Sequence, residues 1–315
     1  MSFNFLKLTE NKLAISVHPP YATAVYSFKR ITRDNPRAEI TESEIENVIS
    51  QAIWKLFDEE RMLFSKRLDI SEMDIVMADV RVLYIKLDEG VVANPIGFTA
   101  KTIDIGLTEI MMTRELSDSI KVAIPNKNEV IFTIEPTASC AWLIQKDSKK
   151  KDFAMARIFD NQTFVYYSAG GEKISYISDF NWGSSQVFNS VADYFGISFL
   201  SAKALLNLYV QENMSVEMLK GLKNIVSKPF ADFSKGVTLA ARNVRINRPI
   251  IYVMSDDFEA LNPKNILWKE TLSKINFLPL VNHTDLALRE MSSVDSQNIW
   301  NRIARRRMKW LMCHK

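Results

Sequence analysis

Glycine is scarce in this chain, with nine residues among 315, well under the ~7% of average usage. Nucleotide-binding loops use glycine where backbone N–H groups must approach phosphate or adopt positive φ, so few positions here could form such a cradle. Cys140 and Cys313 are the only cysteines and lie far apart, which argues against a disulfide framework or a cysteine-rich metal centre. His18, His283 and His314 are the only histidines, and none has a second ligand at zinc spacing, so no metal site is expected. No apolar run approaches the ~18 residues of a membrane-spanning helix. Lys7, Glu10 and Lys12 interrupt what would have to be the apolar core of a signal peptide, so the expected location is the cytoplasm. The net charge of +3 is too small to imply a nucleic-acid partner unless it is locally concentrated. Gly-x-Ser-x-Gly, His-Glu-x-x-His and Walker patterns are absent, which leaves hydrolase and P-loop readings without support.

What remains is the composition of a folded protein, 47% hydrophobic and 24% charged, long enough for two packed units. Residues 12–30 hold two apolar stretches around Pro19-Pro20, which predicts strand, turn, strand. Thr41 and Glu44 have capping-box spacing. Ile45, Val48, Ile49, Ala52, Ile53 and Leu56 then mark one face of a helix over about 42–57. Strands are expected at 78–87 and 102–112, the latter from the alternation of Ile103, Ile105 and Leu107. Beyond residue 115 the pattern predicts a short helix at 114–122, a strand in EVIFTIEP and a helix opening near Thr137. Strands at 153–159, 163–168 and 174–178 follow, then helices from Ser185 and Ser201 and a late strand at 249–254. The run from Lys146 to Asp152 reads as a solvated turn.

Residues 80–112, with Asn94-Pro95-Ile96-Gly97 in a turn between strands, resemble the extra subdomain (1C, or SHS2) of FtsA, the actin-like cell-division protein. The preceding residues 40–52 resemble that family's acid-capped helix. Residues 153–210 look like its second phosphate-binding hairpin and following helices, with Gly183 and Ser184 where the family has a glycine pair. Residues 249–261 look like its adenosine-side strand and turn. The resemblance implies an α/β, actin-like (ribonuclease-H-like) remnant with an FtsA 1C-type (SHS2) subdomain. It divides the chain into 1–115 as the 1C-like part, 116–290 as a partial second actin-like domain, and a C-terminal basic helix at 291–315.

The departures from that family are as informative. Its opening Asp-x-Gly phosphate turn has no counterpart before residue 40. At the second hairpin only Thr163 fits, while Asp160 stands where a glycine is expected. Ser255, Asp256 and Asp257 replace the glycines of the adenosine turn. These carboxylates could be read as Mg²⁺ ligands, or as turn residues for which Asp is favoured; without a glycine cradle they would repel a triphosphate. ATP and Mg²⁺ are therefore not expected as cofactors, and no catalytic residue is assigned.

The C-terminal segment gathers the positive charge. On a helix, Ile299, Trp300, Ile303, Ala304, Met308, Trp310 and Leu311 fill one half, and Arg302, Arg305, Arg306 and Lys309 the other. This pattern suits an anionic membrane surface and is similar to the FtsA family's terminal anchor. The same pattern also suits a helix packed on the protein body, and the arginines alone could meet nucleic-acid phosphates, although no recognised nucleic-acid motif supports that. The expected function is a scaffold resembling FtsA that tethers a filament, such as a tubulin-like division protein, to the inner membrane face without ATP turnover. Self-association is compatible with it. The alternatives are a divergent actin-like ATPase or a PilM-like pilus assembly protein that holds a partner peptide in a groove.

Overall fold

The computed structural model describes residues 3–88, 90–124, 129–147, 152–210, 213–242, 250–255, 275–277, 300–301, 303–305 and 308. The chain is a mixed α/β protein with two compact units, one made of Met1–Leu143, Glu172–Ser175 and Leu286–Lys315, the other of Ile144–Gly171 and Tyr176–Asp285. The division therefore falls at 143/144 rather than at 115/116, and the C-terminal segment belongs to the first unit instead of standing apart.

In the first unit, β1 (Phe3–Lys7) pairs antiparallel with β2 (Lys12–Val17), which pairs in parallel with β7 (Glu129–Ile134). A second sheet is built from β3 (Ala22–Thr32), β6 (Thr102–Thr113), β4 (Ile75–Leu87) and β5 (Gly90–Val92), all antiparallel, with β6 between β3 and β4. Residues 12–30 thus divide between the two sheets. The Pro19-Pro20 step, which cannot supply ladder N–H groups, separates β2 from β3, and β2 finds its partners in the other sheet.

Helix α1 (Glu42–Leu68) covers the second sheet. Its predicted stripe is buried in full, and it runs eleven residues past the expected end at 57, because Phe57, Glu60 and Phe64 continue the same face. A glutamate in that series disguised the continuation. Thr41 caps the helix as expected, accepting from the Glu44 N–H at 3.2 Å. The reciprocal half of the capping box is replaced by an ion pair: Glu44 takes two bonds from Arg33, at 2.6 and 2.9 Å. Those bonds hold the Glu44 carboxyl below the usual range. On β6 the odd-numbered residues Ile103, Ile105, Leu107 and Met111 face α1 in the core. Gly106 is needed for close approach, since a Cβ there would lie 2.4 Å from the Tyr84 ring. Helix α2 (Arg114–Ala123) lies in this unit, and α3 (Pro136–Asp147) begins in it.

In the second unit the strand order is β12 (Ile275–Phe277), β11 (Ile250–Ser255), β8 (Phe153–Ile158), β9 (Thr163–Ala169), β10 (Lys173–Phe180, whose first three residues belong to the first unit). β8 and β9 form a hairpin, whereas β11 joins β8 in parallel and β12 joins β11 in parallel. Three helices lie between the meander and β11: α4 (Ser184–Phe195), α5 (Phe199–Val210) and α6 (Val216–Arg242). The 27 residues of α6 were not expected, although Leu222, Val226, Phe230, Phe233, Val237 and Ala240 recur at helical spacing and are buried. Pro229 lies inside this helix; proline removes a ladder donor and crowds the preceding turn, and so it masks the pattern. Part of the Lys146–Asp152 run lies outside the described residues.

Candidate functional sites

Three places bear on function. The first is the end of the second unit's sheet where β8 and β11 terminate, the position at which open α/β sheets present ligand sites. Asp160, Thr163, Gly183, Ser184 and Ser255 are all brought there. Ser255 registers with Ile158 at the end of β11, and Thr163 registers with the same residue across the hairpin. A helix N-terminus binds phosphate through its free N–H groups. At α4 those donors are engaged: Ser184 N–H donates to Phe159 O at 3.0 Å, Ser185 N–H to Asp160 O at 2.8 Å, and Gln186 N–H to Gly183 O at 3.1 Å. Gly183 is there to let the hairpin turn come close, for a Cβ on it would sit 2.3 Å from Asp160 O. Thr163 is fully buried, and its hydroxyl donates to Trp182 O at 2.7 Å. The leading N–H groups of α4 are thus taken up by the hairpin turn and the helix's own first turn. The hairpin turn and α4 use each other's backbone groups. Asp256 lies outside the described residues. Among the described residues no cluster of His, Cys, Asp and Glu is arranged to hold a metal.

The second place is the C-terminal segment. Trp300, Asn301, Ile303, Ala304, Arg305 and Met308 are helical. Trp300 and Ile303 are buried in the first unit's core together with Ala304, and Met308 packs against the same core. Trp300 donates its indole N–H to Ala93 O at 3.1 Å, and Arg305 donates to Asp79 at 3.1 Å. The expectation that Trp300, Ile303 and Arg305 would meet a membrane is corrected at these residues. Their apolar face is covered by protein, and their cation faces a buried carboxylate. Ile299, Arg302, Arg306, Trp310 and Leu311 lie outside the described residues. No helix among the described residues is long and apolar enough to cross a membrane.

The third place was not anticipated. A groove of about 370 Å³ in the first unit is lined by Trp54, Phe57, Met73, Val76 and Met77, with Arg61, Glu72 and Arg114 supplying the charge and Met308 part of the wall. Met73 is 76% exposed at the 3₁₀ turn Glu72–Asp74. The available signal was local: a tryptophan on the flank of the α1 stripe, and a methionine in a polar turn. Arg61 bridges Asp58 and Glu72 at 3.2 and 3.4 Å, and Arg114 donates to Met73 O at 2.8 Å, so the charged groups are positioned by the groove's own backbone and side chains.

One further anomaly concerns Glu109. It sits on the odd-numbered, α1-facing row of β6 with no exposure, and neither of its oxygens has a hydrogen-bond partner. Burial, reinforced by the charge of Glu60, pushes its carboxyl well above the usual range. Glu60, itself buried, is contacted by Lys173.

No protein-family profile and no curated protein matches the chain. Among solved structures, it is similar to a PilM–PilN type IV pilus biogenesis complex at 11% identity, covering 94% of this chain and 79% of that one with a TM-score of 0.45. It is also similar to the ethanolamine utilization protein EutJ from Carboxydothermus hydrogenoformans, at 15% identity over 51% of this chain and 56% of that one (TM-score 0.38). A Bacteroides thetaiotaomicron protein with an actin-like ATPase fold matches at 10% identity over 84% and 69% of the two chains (TM-score 0.33). All three superpositions are loose, and none of these similarities assigns the chain to a family.

Proposed function

We propose that this protein is an actin-like scaffold that engages a protein partner without turning over nucleotide. The observation that carries this reading is the α4 N-terminus, whose leading N–H groups are bonded to Phe159 O, Asp160 O and Gly183 O. A phosphate could displace them only by breaking the hairpin contact. The meander, helices and late parallel strand of the second unit follow the order that the resemblance to actin-like proteins implies. Isothermal calorimetry of the full chain with Mg-ATP at micromolar protein should give no binding heat. A dissociation constant below about 10 µM, worth roughly 7 kcal/mol, would overturn the reading.

Between the FtsA-like and PilM-like forms of this scaffold, the groove favours the second. Its apolar walls and the cationic groups of Arg61 and Arg114 suit a short peptide with apolar side chains and a carboxylate. Membrane attachment through Trp300 and Ile303 would require those side chains to leave the core. Peptides selected from a random display library on the full chain should be apolar and acidic, and should lose binding to Val76→Glu. Selected peptides that bind this variant as well as they bind the parent would remove the groove from consideration.

A further inference from the structure

The groove does not end at Arg114. A second depression of about 410 Å³ adjoins it, lined by Tyr21, Leu68, Ile70, Asp74, Glu115 and Asp118. Arg114 lines both, and the 3₁₀ turn gives Glu72 and Met73 to the first and Asp74 to the second. The bond from Arg114 to Met73 O at 2.8 Å fixes the arginine at this boundary. The two depressions differ in charge. In the second, Asp118 is paired with Lys121 at 2.8 Å, whereas the exposed carboxylates of Asp74 and Glu115 enter no ion pair and no side-chain hydrogen bond among the described residues. Tyr21 is 50% exposed beside them, and its backbone is held by the Thr113 N–H, which donates to Tyr21 O at 2.9 Å. Leu68 at the end of α1 and Ile70 just beyond its cap supply the apolar part. An apolar stem that ends in a cation matches this combination. Lysine and arginine lay their methylenes along apolar surface and keep the head near water, carboxylates without a partner attract that head, and an aromatic face adds a cation–π contribution.

We infer that the two depressions form one bipolar site for a single peptide segment, whose acidic residue meets Arg61 and Arg114 and whose lysine or arginine lies along Leu68 and Ile70 toward Asp74 and Glu115. This deepens the groove reading above and rests on it. Exposed ion pairs each contribute little, so the apolar residues of the peptide supply the affinity and the charges select among peptides. Reversing the order of the two charges would set the base against Arg61 and Arg114 and the acid against Asp74 and Glu115. The site therefore reads the direction of the peptide as well as its composition.

The test uses seven-residue peptides selected from a random display library on the full chain, resynthesised with blocked termini and titrated by fluorescence anisotropy. The selected peptides should carry a lysine or arginine as well as an acid, in one constant order. Exchanging the two charged residues within a peptide should weaken binding to the parent by about tenfold, since both pairs are lost and both become repulsive. Asp74→Asn combined with Glu115→Gln should weaken the selected peptides by about fivefold and remove their preference for the basic residue over glutamine, while a peptide with the acid alone binds parent and variant equally. Both replaced side chains are exposed, and the variant should keep the parent's melting temperature; the charge-order comparison needs no variant at all. Selected peptides that carry an acid alone, indifference to charge order, or unchanged affinity in the double variant would each overturn the bipolar site, and the groove would stand so long as Val76→Glu still abolishes binding. Peptides indifferent to Val76→Glu remove the groove and the bipolar site together, so the two failures are told apart.

Discussion

Replacing Glu109 by glutamine should make the stability of the first unit less dependent on pH. Glu109 lies on the α1-facing row of β6 with no exposure and no hydrogen-bond partner. The charged groups acting on it are Glu60, Asp58 and Glu59 from α1 and Lys29 from β3. Lys29 is engaged by Glu59 at 2.5 Å, and Lys173 by Glu60. Burial without a partner disfavours the carboxylate, so the folded chain holds this proton above the usual range, while the unfolded chain releases it near ~4.3. The stability supplied by the protonated form is fully present below the unfolded value and is lost as pH rises through the folded one. Across that window the loss is about 1.4 kcal/mol per pH unit. Glu109→Gln keeps the shape and polarity of the neutral acid but cannot ionise. Urea unfolding at a series of pH values from 5 to 9 should show the parent's midpoint falling with pH and the variant's falling much less, with the slope in denaturant unchanged. Parallel curves for the two proteins would refute the reasoning. So would a variant less stable than the parent at high pH, because Glu109 would then have a partner for its charge.

Three further outcomes are expected. Glu44→Gln should lower stability at pH 7 by about 1 kcal/mol by weakening the Arg33 pair; because that pairing depresses the Glu44 carboxyl, the contribution is present above the ordinary range and is lost as pH falls through the depressed value, which a comparison of melts at pH 3 and 7 would show. Thr41→Ala should cost α1 about 1 kcal/mol through the lost N-cap, read as a lower urea midpoint. Gly183→Ala should cost about 3 kcal/mol, at the upper end of overpacking penalties because the added Cβ meets backbone rather than a movable side chain; calorimetric melting of the full chain should register it, and an unchanged melting temperature would mean the hairpin turn does not rest on α4.

Some of this molecule is written in local pattern. The α1 stripe from Ile45 to Leu56, the alternation in β6 and the β8–β9 hairpin were legible because each records one burial face at a fixed period, and a period survives without knowledge of what lies opposite. Patterns failed where a single residue broke the period: Glu60 hid the last turns of α1, and Pro229 hid α6. The residues at the end of β8 show the next limit. Asp160, Thr163, Gly183 and Ser184 were recognisable as a group, yet only their folded positions show that the hairpin turn consumes the donors of α4, because hydrogen-bond partners are chosen by distance in space. The C-terminal helix marks the boundary most clearly. Its sequence determined that one face must leave water, since tryptophan, isoleucine and alanine recur at helical spacing. What covers that face was decided by tertiary structure, because the apolar contribution is non-directional and accepts lipid or protein alike; directional bonds, such as that from the Val82 N–H to Asn301 and that from Arg305 to Asp79, fix the segment on β4.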